Sequence, residues 1–293
     1  MRPLRTTLAL ALATTAGSLA VAAPAHADHG GLTVTGLTAN DRLVTFKASA
    51  PGTILSTVKV TGLEAGDDLA ALDFRPATGG LYGVSSSDAG AHLYLINPVT
   101  GAATRVGTAT YPIAGDLSMD FNPAVDRLRL VSTDGTNLRV NPNDGALVAT
   151  DGRLAYAATD PAAGSTPAVA AVAYLNNDND PATGTTLYDI DAATDTLVSQ
   201  VPPNSGTLNT IGATPATNPA KTGLDIYTRL IGATAGTNWA FASVFDKGVT
   251  TFYELDLTTG GPRTSGAVPG SGKAIGSTPA VVDIAVATGQ PGF

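Results

Sequence analysis

Ala71-Leu72-Asp73-Phe74 is the first of five four-residue segments that share one pattern, in which the third residue is usually aspartate and its neighbours are small or apolar. The other four are Ser118-Met119-Asp120-Phe121, Ala171-Val172-Ala173-Tyr174, Gly223-Leu224-Asp225-Ile226 and Val281-Val282-Asp283-Ile284. The third residues of successive segments are 47, 53, 52 and 58 residues apart. A period near 50 residues, with several short strands in each unit, is typical of propeller blades.

The two ends of the chain complement each other in this pattern. Residues 32–63 offer three strands with no repeated segment before them, and residues 280–287 offer a repeated segment with nothing after it. Pairing these ends would close the ring and leave no sheet edge exposed. We therefore predict an all-β fold, a five-bladed β-propeller of about 20 strands whose N- and C-terminal strands complete one blade. A six-bladed ring and an irregular β-sandwich are the alternatives.

The composition favours strands and turns over helices. Of 24 acidic residues, 22 are aspartate, and lysine occurs only five times, whereas exposed helix surfaces are usually rich in Glu and Lys. The 33 glycines and 19 prolines supply tight turns between strands. We expect almost no helix in the mature protein.

The N-terminus has the features of an export signal. A basic start, an apolar run over Leu8–Ala23 and the small residues Ala25 and Ala27 precede Asp28. We predict a signal peptide over residues 1–27 and one propeller domain over residues 28–293, secreted to the medium or the periplasm. Removing residues 1–27 takes away two arginines and no acidic residue, so the net charge changes from −8 to −10.

This charge and the cysteine count exclude several classes of protein. An acidic chain without a Lys/Arg cluster is a poor binder of nucleic acid, which requires concentrated positive charge. No stretch after residue 27 approaches the roughly 18 apolar residues of a membrane span. The absence of cysteine removes disulfides and thiolate chemistry. We expect a monomer whose partner is an extracellular ligand or a component of the cell envelope.

The second repeat unit carries arginines that the first unit lacks. A four-residue loop over Asn122–Val125 would place Asp120 opposite Arg127. A two-residue turn at Asp134-Gly135 would place Arg139 opposite Leu130, on the other face of the sheet. The predicted ligand-binding residues are Asp120, Arg127, Arg129, Asn137 and Arg139.

An arginine in a sheet that is packed on both faces needs a carboxylate, backbone carbonyls or an anionic ligand. Two interpretations of these arginines therefore stay open. One is internal pairing with Asp120 or Asp126, and the other is a site for a carboxylate, a sulfate or a sugar. The aspartates that recur in the repeats are interpreted differently, as structural residues that accept backbone amides of the following turn, with a cation-binding ring as the alternative.

The loop Asn176–Asp180 concentrates oxygen donors between two strands. It fails as an EF-hand, because Pro181 stands where that loop needs glycine and Leu187 where it needs glutamate. A solvated turn and a looser calcium site are the two interpretations. In the second, Asp178 and Asp180 are the predicted metal ligands, and calcium is the one cofactor considered.

No catalytic signature is recognised in the sequence. A Gly-x-Ser-x-Gly motif is absent, and Gly270-Ser271-Gly272-Lys273 lacks the spacing of a phosphate loop. His29 and His92 are the histidines that follow the predicted signal peptide, and neither is expected to serve a triad or a two-histidine metal site.

Several stretches resemble the family known as domain of unknown function 4394. They are Leu72–Gly83, Asp120-Phe121-Asn122-Pro123, Asp126–Arg129, Asn137–Pro142, Thr186–Asp191 and Pro202–Leu208, and the resemblance spans roughly residues 55–287. It implies a secreted or surface bacterial protein with a β-rich, propeller-like module. It implies no activity and no catalytic residue.

These observations favour a secreted propeller that binds an unknown ligand and has no catalytic activity. The alternative is an extracellular hydrolase or lyase that uses aspartate carboxylates, with or without calcium. That alternative would be favoured if Asp120, Arg129 and an aspartate of another blade met in one solvent-reachable pocket. A purely structural matrix component is a third hypothesis.

Overall fold

The computed structural model describes residues 29–215, 217, 219, 221–276 and 279–290. The predicted signal peptide lies outside the described residues. Nearly all the regular structure is β-strand, with short 3₁₀ helices at His29–Gly31 and Pro203–Ser205. No helix within the described ranges is long or apolar enough to cross a membrane.

The strands form five small sheets, which we number as blades 1–5 in chain order. Blade 1 contains β1 (Thr33–Thr38), β2 (Arg42–Lys47) and β3 (Ala50–Lys59). Blade 2 contains β4 (Asp68–Phe74), β5 (Leu81–Ser86), β6 (Leu93–Ile96) and β7 (Ala103–Arg105). Blade 3 contains β8 (Leu117–Asn122), β9 (Arg127–Ser132), β10 (Asn137–Val140) and β11 (Leu147–Thr150). Blade 4 contains β12 (Ala155–Tyr156), β13 (Val169–Tyr174), β14 (Leu187–Asp191), β15 (Thr196–Gln200) and β16 (Thr207–Ala213). Blade 5 contains β17 (Lys221–Ile231), β18 (Thr234–Asp246), β19 (Val249–Leu255) and β20 (Lys273–Ala274), and β21 (Val281–Ala285) returns to blade 1.

The ring closes as the sequence predicts. Strand β21 pairs antiparallel with β1, with Leu37 opposite Asp283, so both ends of the chain share blade 1. The first strand of each repeat lies innermost, and these inner strands contact one another around the axis in the cyclic order β4, β8, β13, β17, β21. The five-bladed propeller is therefore confirmed.

The hydrophobic core is divided among the junctions between blades. Five clusters of buried apolar side chains occur, and each draws its residues mainly from two neighbouring blades. At the junction of blades 5 and 1, for example, Phe46 and Phe252 pack edge to face with centroids 5.5 Å apart. Apolar burial of this kind is the dominant favourable term in folding, so each blade depends on its neighbours for stability.

The predicted register of β8 and β9 is wrong by two residues. Asp120 lies opposite Arg129, and Asn122 lies opposite Arg127. Asn122 stays in the strand because its side-chain oxygen accepts the N–H of Ala124 (3.0 Å) and so starts the turn itself. Asp126 then ends the turn in the left-handed conformation, with φ of 48°.

The predicted register of β9 and β10 is also wrong. Arg139 lies opposite Arg129 instead of Leu130. The amide of Ser132 bonds to the carbonyl of Thr136 (3.1 Å), so the loop has one residue more than a two-residue turn. Gly135 takes the positive φ (87°) that a three-residue hairpin loop needs. This one-residue shift moves Arg139 to the face of the sheet that carries Arg129.

Candidate functional site

The corrected register gathers three arginines in a cleft between blades 3 and 4, which we call the arginine cleft. Arg127, Arg129 and Arg139 line a cavity of about 440 Å³ there. The remaining lining residues are Asn122, Val125, Val148, Tyr174, Pro203 and Asn204. Three of the five predicted ligand-binding residues therefore lie around one space.

Arg129 forms the inner wall of the arginine cleft and links the two blades. Its side chain is 2% exposed. The Nε atom donates to the Tyr174 hydroxyl at 2.7 Å, and Nη2 donates to Asn204 Oδ1 at 2.7 Å. The Nη1 atom donates to Asn137 and also to Asp151 Oδ2 at 3.1 Å. The carboxylate partner of Arg129 is thus Asp151, and neither Asp120 nor Asp126 pairs with it.

Asn137 supports Arg129 from behind. It is 1% exposed, and its Nδ2 atom donates to the carbonyls of Gly152 and Pro203, both at 3.0 Å. Its carbonyl oxygen accepts from Arg129, so both of its N–H donors and its oxygen are engaged within the protein. Asn137 therefore positions Arg129 and does not line the cavity.

Arg127 and Arg139 retain donors that the described residues do not occupy. Arg139, whose side chain is 30% exposed, holds Asp151 through Nε (2.7 Å) and Nη2 (3.0 Å), which leaves Nη1 without a partner among the described residues. Arg127 uses Nη1 on the carbonyls of Val125 (3.4 Å) and Asp126 (2.8 Å). A guanidinium has five N–H donors, so both arginines can bind a further acceptor.

The arginine cleft carries positive charge in an acidic protein. Three guanidinium groups and one carboxylate, Asp151, give a local charge of +2, against −8 for the whole chain. Asp126 does not reduce this charge, because it pairs with Arg75 of blade 2. Fixed positive charge in a concave, partly dry site attracts anions.

Asp120 does not line the arginine cleft and lies on the propeller axis. It is 3% exposed, and its Oδ1 atom accepts the N–H of Tyr174 in the next blade at 3.0 Å. Asp73 accepts the N–H of Phe121 (2.9 Å), Asp283 accepts that of Leu72 (2.9 Å), and Asp225 accepts that of Val286. The recurring aspartates are structural, as expected, but each bonds an amide on the inner strand of the next blade or directly after it, and Asp283 also accepts the amide of Ile284 in its own strand (2.9 Å).

These axial aspartates raise one another's proton affinity. Carboxylate oxygens of Asp73, Asp120 and Asp225 lie within 4.8 Å of one another. Burial, and then the charge of the neighbouring carboxylates, raises the pKa of Asp73 and Asp120 well above its usual range. Burial raises the pKa of Asp225 to about 7. Three such oxygens suit a hard cation, and the ring also retains protons at a pH where an ordinary aspartate has none.

The loop that holds the predicted calcium ligands is tied to blade 5. Asp178 Oδ2 accepts from Thr183 Oγ1 and from the amide of Ala235, both at 2.8 Å, while its Oδ1 accepts the amide of Asp180 at 3.0 Å. Burial opposes ionisation of Asp178, but these hydrogen bonds outweigh it and lower the pKa. Among the residues that the structure describes, the Asp180 carboxylate accepts only the amide of Ala182 (2.9 Å). Calcium binding here stays a prediction, with Asp180 as the more available ligand.

A second cavity, of about 320 Å³, opens at the axial end where the inner strands begin. Residues of all five blades line it, including Asp68, Asp116 and Lys221. Lys221 forms an ion pair with Asp116 there, so its charge is already matched. Asp120 and Arg129 do not line this cavity, and the convergence that would favour the carboxylate hydrolase hypothesis does not occur in either space.

Sequence reasoning missed three residues of the arginine cleft, namely Asp151, Tyr174 and Asn204. Tyr174 carried a usable signal, since it is the only residue with a hydroxyl at the fourth position of the repeated segments. Asp151 and Asn204 follow strands at places where the repeat gives no alignment. Only the folded chain brings them to Arg129, 22 and 75 residues away in sequence.

The model of the family described as "Domain of unknown function (DUF4394)" matches residues 42–284. No sequence among the curated proteins matches.

Solved structures with a related chain path share little sequence with this protein. A protein from Lactobacillus plantarum is 16% identical with a TM-score of 0.41, and the match covers 87% of this chain and 71% of the other. An auxiliary nutrient binding protein from Bacteroides ovatus is 12% identical with a TM-score of 0.41, over 72% of this chain and 55% of the other. A chain of a nidogen/laminin complex is 10% identical with a TM-score of 0.49, over 88% and 99%. None of these TM-scores reaches 0.5, so the three likenesses carry no argument about function.

Proposed function

The chain belongs to the DUF4394 family, and we propose that it is an exported β-propeller that binds an anionic ligand in the arginine cleft. The ligand carries a carboxylate or a sulfate, as do the acidic sugars of extracellular and envelope polymers. The protein acts as a monomer, and it holds this ligand without changing it chemically at that cleft.

One observation carries this proposal: the three arginines of the cleft differ in whether their N–H donors are bonded within the protein or remain unused. Arg129 donates hydrogen bonds to four protein side chains, which makes it part of the scaffold. Arg127 and Arg139 keep unused donors beside a cavity of about 440 Å³. Bidentate pairing of guanidinium with carboxylate or sulfate oxygens is the interaction that such donors favour.

The rim of the arginine cleft adds apolar contact. The side chains of Val125 and Val148 line the cavity although they are 56% and 48% exposed. Pro203 contributes a third apolar surface. A ligand with a charged group and a less polar ring face would satisfy both parts of this site, whereas a free inorganic ion would use only the arginines.

Isothermal titration calorimetry with D-glucuronate and D-glucose 6-sulfate tests the proposal, and uncharged D-glucose serves as the ligand control. The two acidic sugars separate carboxylate from sulfate recognition. Arg127→Gln should weaken binding about 10- to 100-fold, because one charge-assisted hydrogen bond contributes roughly 1.5–3 kcal/mol. Arg127 is near the surface and makes only local backbone contacts, so the fold should survive this change.

Arg229→Gln is the matched control, because Arg229 is an exposed arginine of blade 5 outside the arginine cleft. It should bind as the unaltered chain does. Equal affinity of the Arg127→Gln and Arg229→Gln variants for the acidic sugars would refute the proposed site. Equal binding of D-glucose would refute the anionic class.

A further inference from the structure

A chain of polar groups in blade 2, outside the arginine cleft, has the arrangement of a nucleophile and its base. Asp67 lies directly before β4, His92 directly before β6, and Thr110 in the connection from β7 to β8. His92 Nδ1 lies 2.8 Å from Asp67 Oδ2, and His92 Nε2 lies 3.0 Å from Thr110 Oγ1. The sequence-based expectation that His92 is not placed for a triad is therefore wrong.

The surroundings of Asp67 fix the direction of these hydrogen bonds. Asp67 is 7% exposed and accepts from the Ser85 hydroxyl (2.9 Å) and from the Tyr94 hydroxyl. Burial opposes its ionisation, but the bonds from Tyr94, His92 and Ser85 outweigh burial and lower the pKa of Asp67. An ionised carboxylate can only accept, so the proton of neutral His92 resides on Nδ1 and Nε2 is left as an acceptor. Nε2 thus accepts the Thr110 hydroxyl proton, as a general base does.

Accessibility points to Thr110 as the group that meets a substrate. His92 is 6% exposed and Ser85 is fully buried, whereas Thr110 is exposed. Arg105 brings positive charge to the same place, with Nη2 lying 3.5 Å from Thr110 Oγ1. A cation beside the Thr110 hydroxyl favours loss of its proton, and Nη2 is held there by the carbonyls of Thr108 (3.2 Å) and Ala109 (3.1 Å).

We propose that Thr110, His92 and Asp67 form a hydrolytic triad for carboxylic esters. Thr110 Oγ1 attacks the ester carbonyl carbon while its proton passes to His92 Nε2, and the carbonyl electron pair moves to the carbonyl oxygen. The ester C–O bond then breaks, and the leaving alkoxide takes the proton from His92, which leaves an acyl–threonine ester. Water, deprotonated by His92, attacks this ester and releases the carboxylic acid, and Thr110 regains its proton. Asp67 acts as a positioning residue through His92.

A metal site is the competing interpretation of the same residues. Glu64, Asp67 and His92 offer ligand atoms within 4.8 Å of one another. However, Nδ1 of His92 is already bonded to Asp67, and Glu64 Oε2 is held by Arg105 at 2.6 Å. A cation would have to displace both contacts, so the geometry favours the triad.

The test uses the full chain with p-nitrophenyl acetate. We expect release of p-nitrophenolate and, in intact-mass spectra of rapidly quenched samples, one acetyl adduct that maps to Thr110. Thr110→Val should lower the rate about 100-fold or to the buffer rate, while Thr110→Ser should retain it. Thr108→Val is the matched control, since Thr108 is an exposed threonine of the same connection, and it should react as the unaltered chain does.

The remaining variants separate positioning from mere stability. Asp67→Asn should lower kcat at unchanged KM, and ¹⁵N NMR should show the His92 proton moving from Nδ1 to Nε2. Thr110→Val turning over at the unaltered rate, or an adduct mapping elsewhere, would overturn the proposal. Activity abolished by EDTA and restored by Zn²⁺ would overturn it in favour of a metal site. The arginine-cleft variants leave this assay unchanged, so the two proposals fail independently.

Discussion

Replacing Arg129 with methionine tests whether this arginine belongs to the scaffold or to the ligand site. Methionine keeps much of the side-chain length but removes every donor. The substitution leaves Tyr174, Asn204 and Asn137 without the guanidinium, and Asp151 keeps only Arg139. Asp151 stays paired with Arg139, so the loss comes from the three polar side chains left without their donor, which at about 1–3 kcal/mol each gives roughly 3–5 kcal/mol after partial relaxation. This is a large part of the roughly 5–15 kcal/mol that stabilises a folded domain.

Urea unfolding followed by far-UV circular dichroism measures this loss. The midpoint for Arg129→Met should fall while the slope stays unchanged, which corresponds to a melting temperature lower by about 10 °C for a chain of this size. Arg139→Met is the control, because Arg139 contacts the same Asp151 from a partly exposed position and should cost about 1 kcal/mol or less. An Arg129→Met protein with unaltered stability and abolished glucuronate binding would refute the assignment of Arg129 to the scaffold and of the other two arginines to the ligand.

Three further predictions concern the axis, the Asn176–Asp180 loop and export. Burial raises the pKa of Asp225 to about 7, so the contribution of this carboxyl group to stability is greatest below its pKa in the unfolded chain, near 4, and is lost as the pH rises through 7. Asp225→Asn should therefore raise the free energy of unfolding at pH 8 by ~2–4 kcal/mol and change it little at pH 4. Urea titrations at both pH values measure this difference. Calcium binding by Asp178 and Asp180 predicts a higher melting temperature in millimolar CaCl₂ than in EDTA and loss of that rise in Asp180→Asn, whereas equal temperatures would leave the loop as a hydrogen-bonded turn. Export predicts that mass spectrometry of protein recovered from the medium or periplasm finds Asp28 at the N-terminus, and recovery of the uncleaved chain alone would contradict it.

The sequence predicted the ring more accurately than the site, because the two depend on different physical information. Segments such as Ala71-Leu72-Asp73-Phe74 recur, so the repeat count predicts five blades once the three unmatched N-terminal strands are joined to the unmatched C-terminal segment. The side of a strand on which Arg139 projects depends on a single residue of loop length after Ser132. Asp134-Gly135 suits both a two-residue and a three-residue loop, so the sequence did not distinguish the two registers.

Partners far apart in sequence were equally hard to predict. Asp126 was considered as a partner of the nearby arginines, but its carboxylate binds Arg75, 51 residues earlier. The triad of blade 2 shows the same difficulty. Asp67, His92 and Thr110 lie in three different connections, and no spacing motif links them. Their alignment follows from the antiparallel order of β4, β5, β6 and β7, which brings the starts of β4 and β6 and the end of β7 to the same end of the sheet.

At the junction of blades 4 and 5, the loop that follows β13 makes the contact to the next blade that an aspartate makes at the other junctions. Ala173 stands where the other four repeats have an aspartate, so blade 4 has no axial carboxylate to bond blade 5. The loop that directly follows β13 supplies that link. Asn177 donates its amide to Thr228 Oγ1 and its Nδ2 to the carbonyl of Ile226, both at 3.0 Å.

Asn176 and Asp178 extend this link along blade 5. The Asn176 amide donates to Asn238 Oδ1 at 3.1 Å, and Asp178 accepts the amide of Ala235. The dense run of Asn and Asp in this loop therefore has a structural cause that is independent of any metal. It follows that Asn177→Ala should destabilise the chain by about 1–3 kcal/mol, the cost of taking this side-chain donor away from the buried carbonyl of Ile226. Ala173→Asp in that variant should restore part of the loss if the axial carboxylate and the loop serve the same junction, and a double variant no more stable than Asn177→Ala would refute that equivalence.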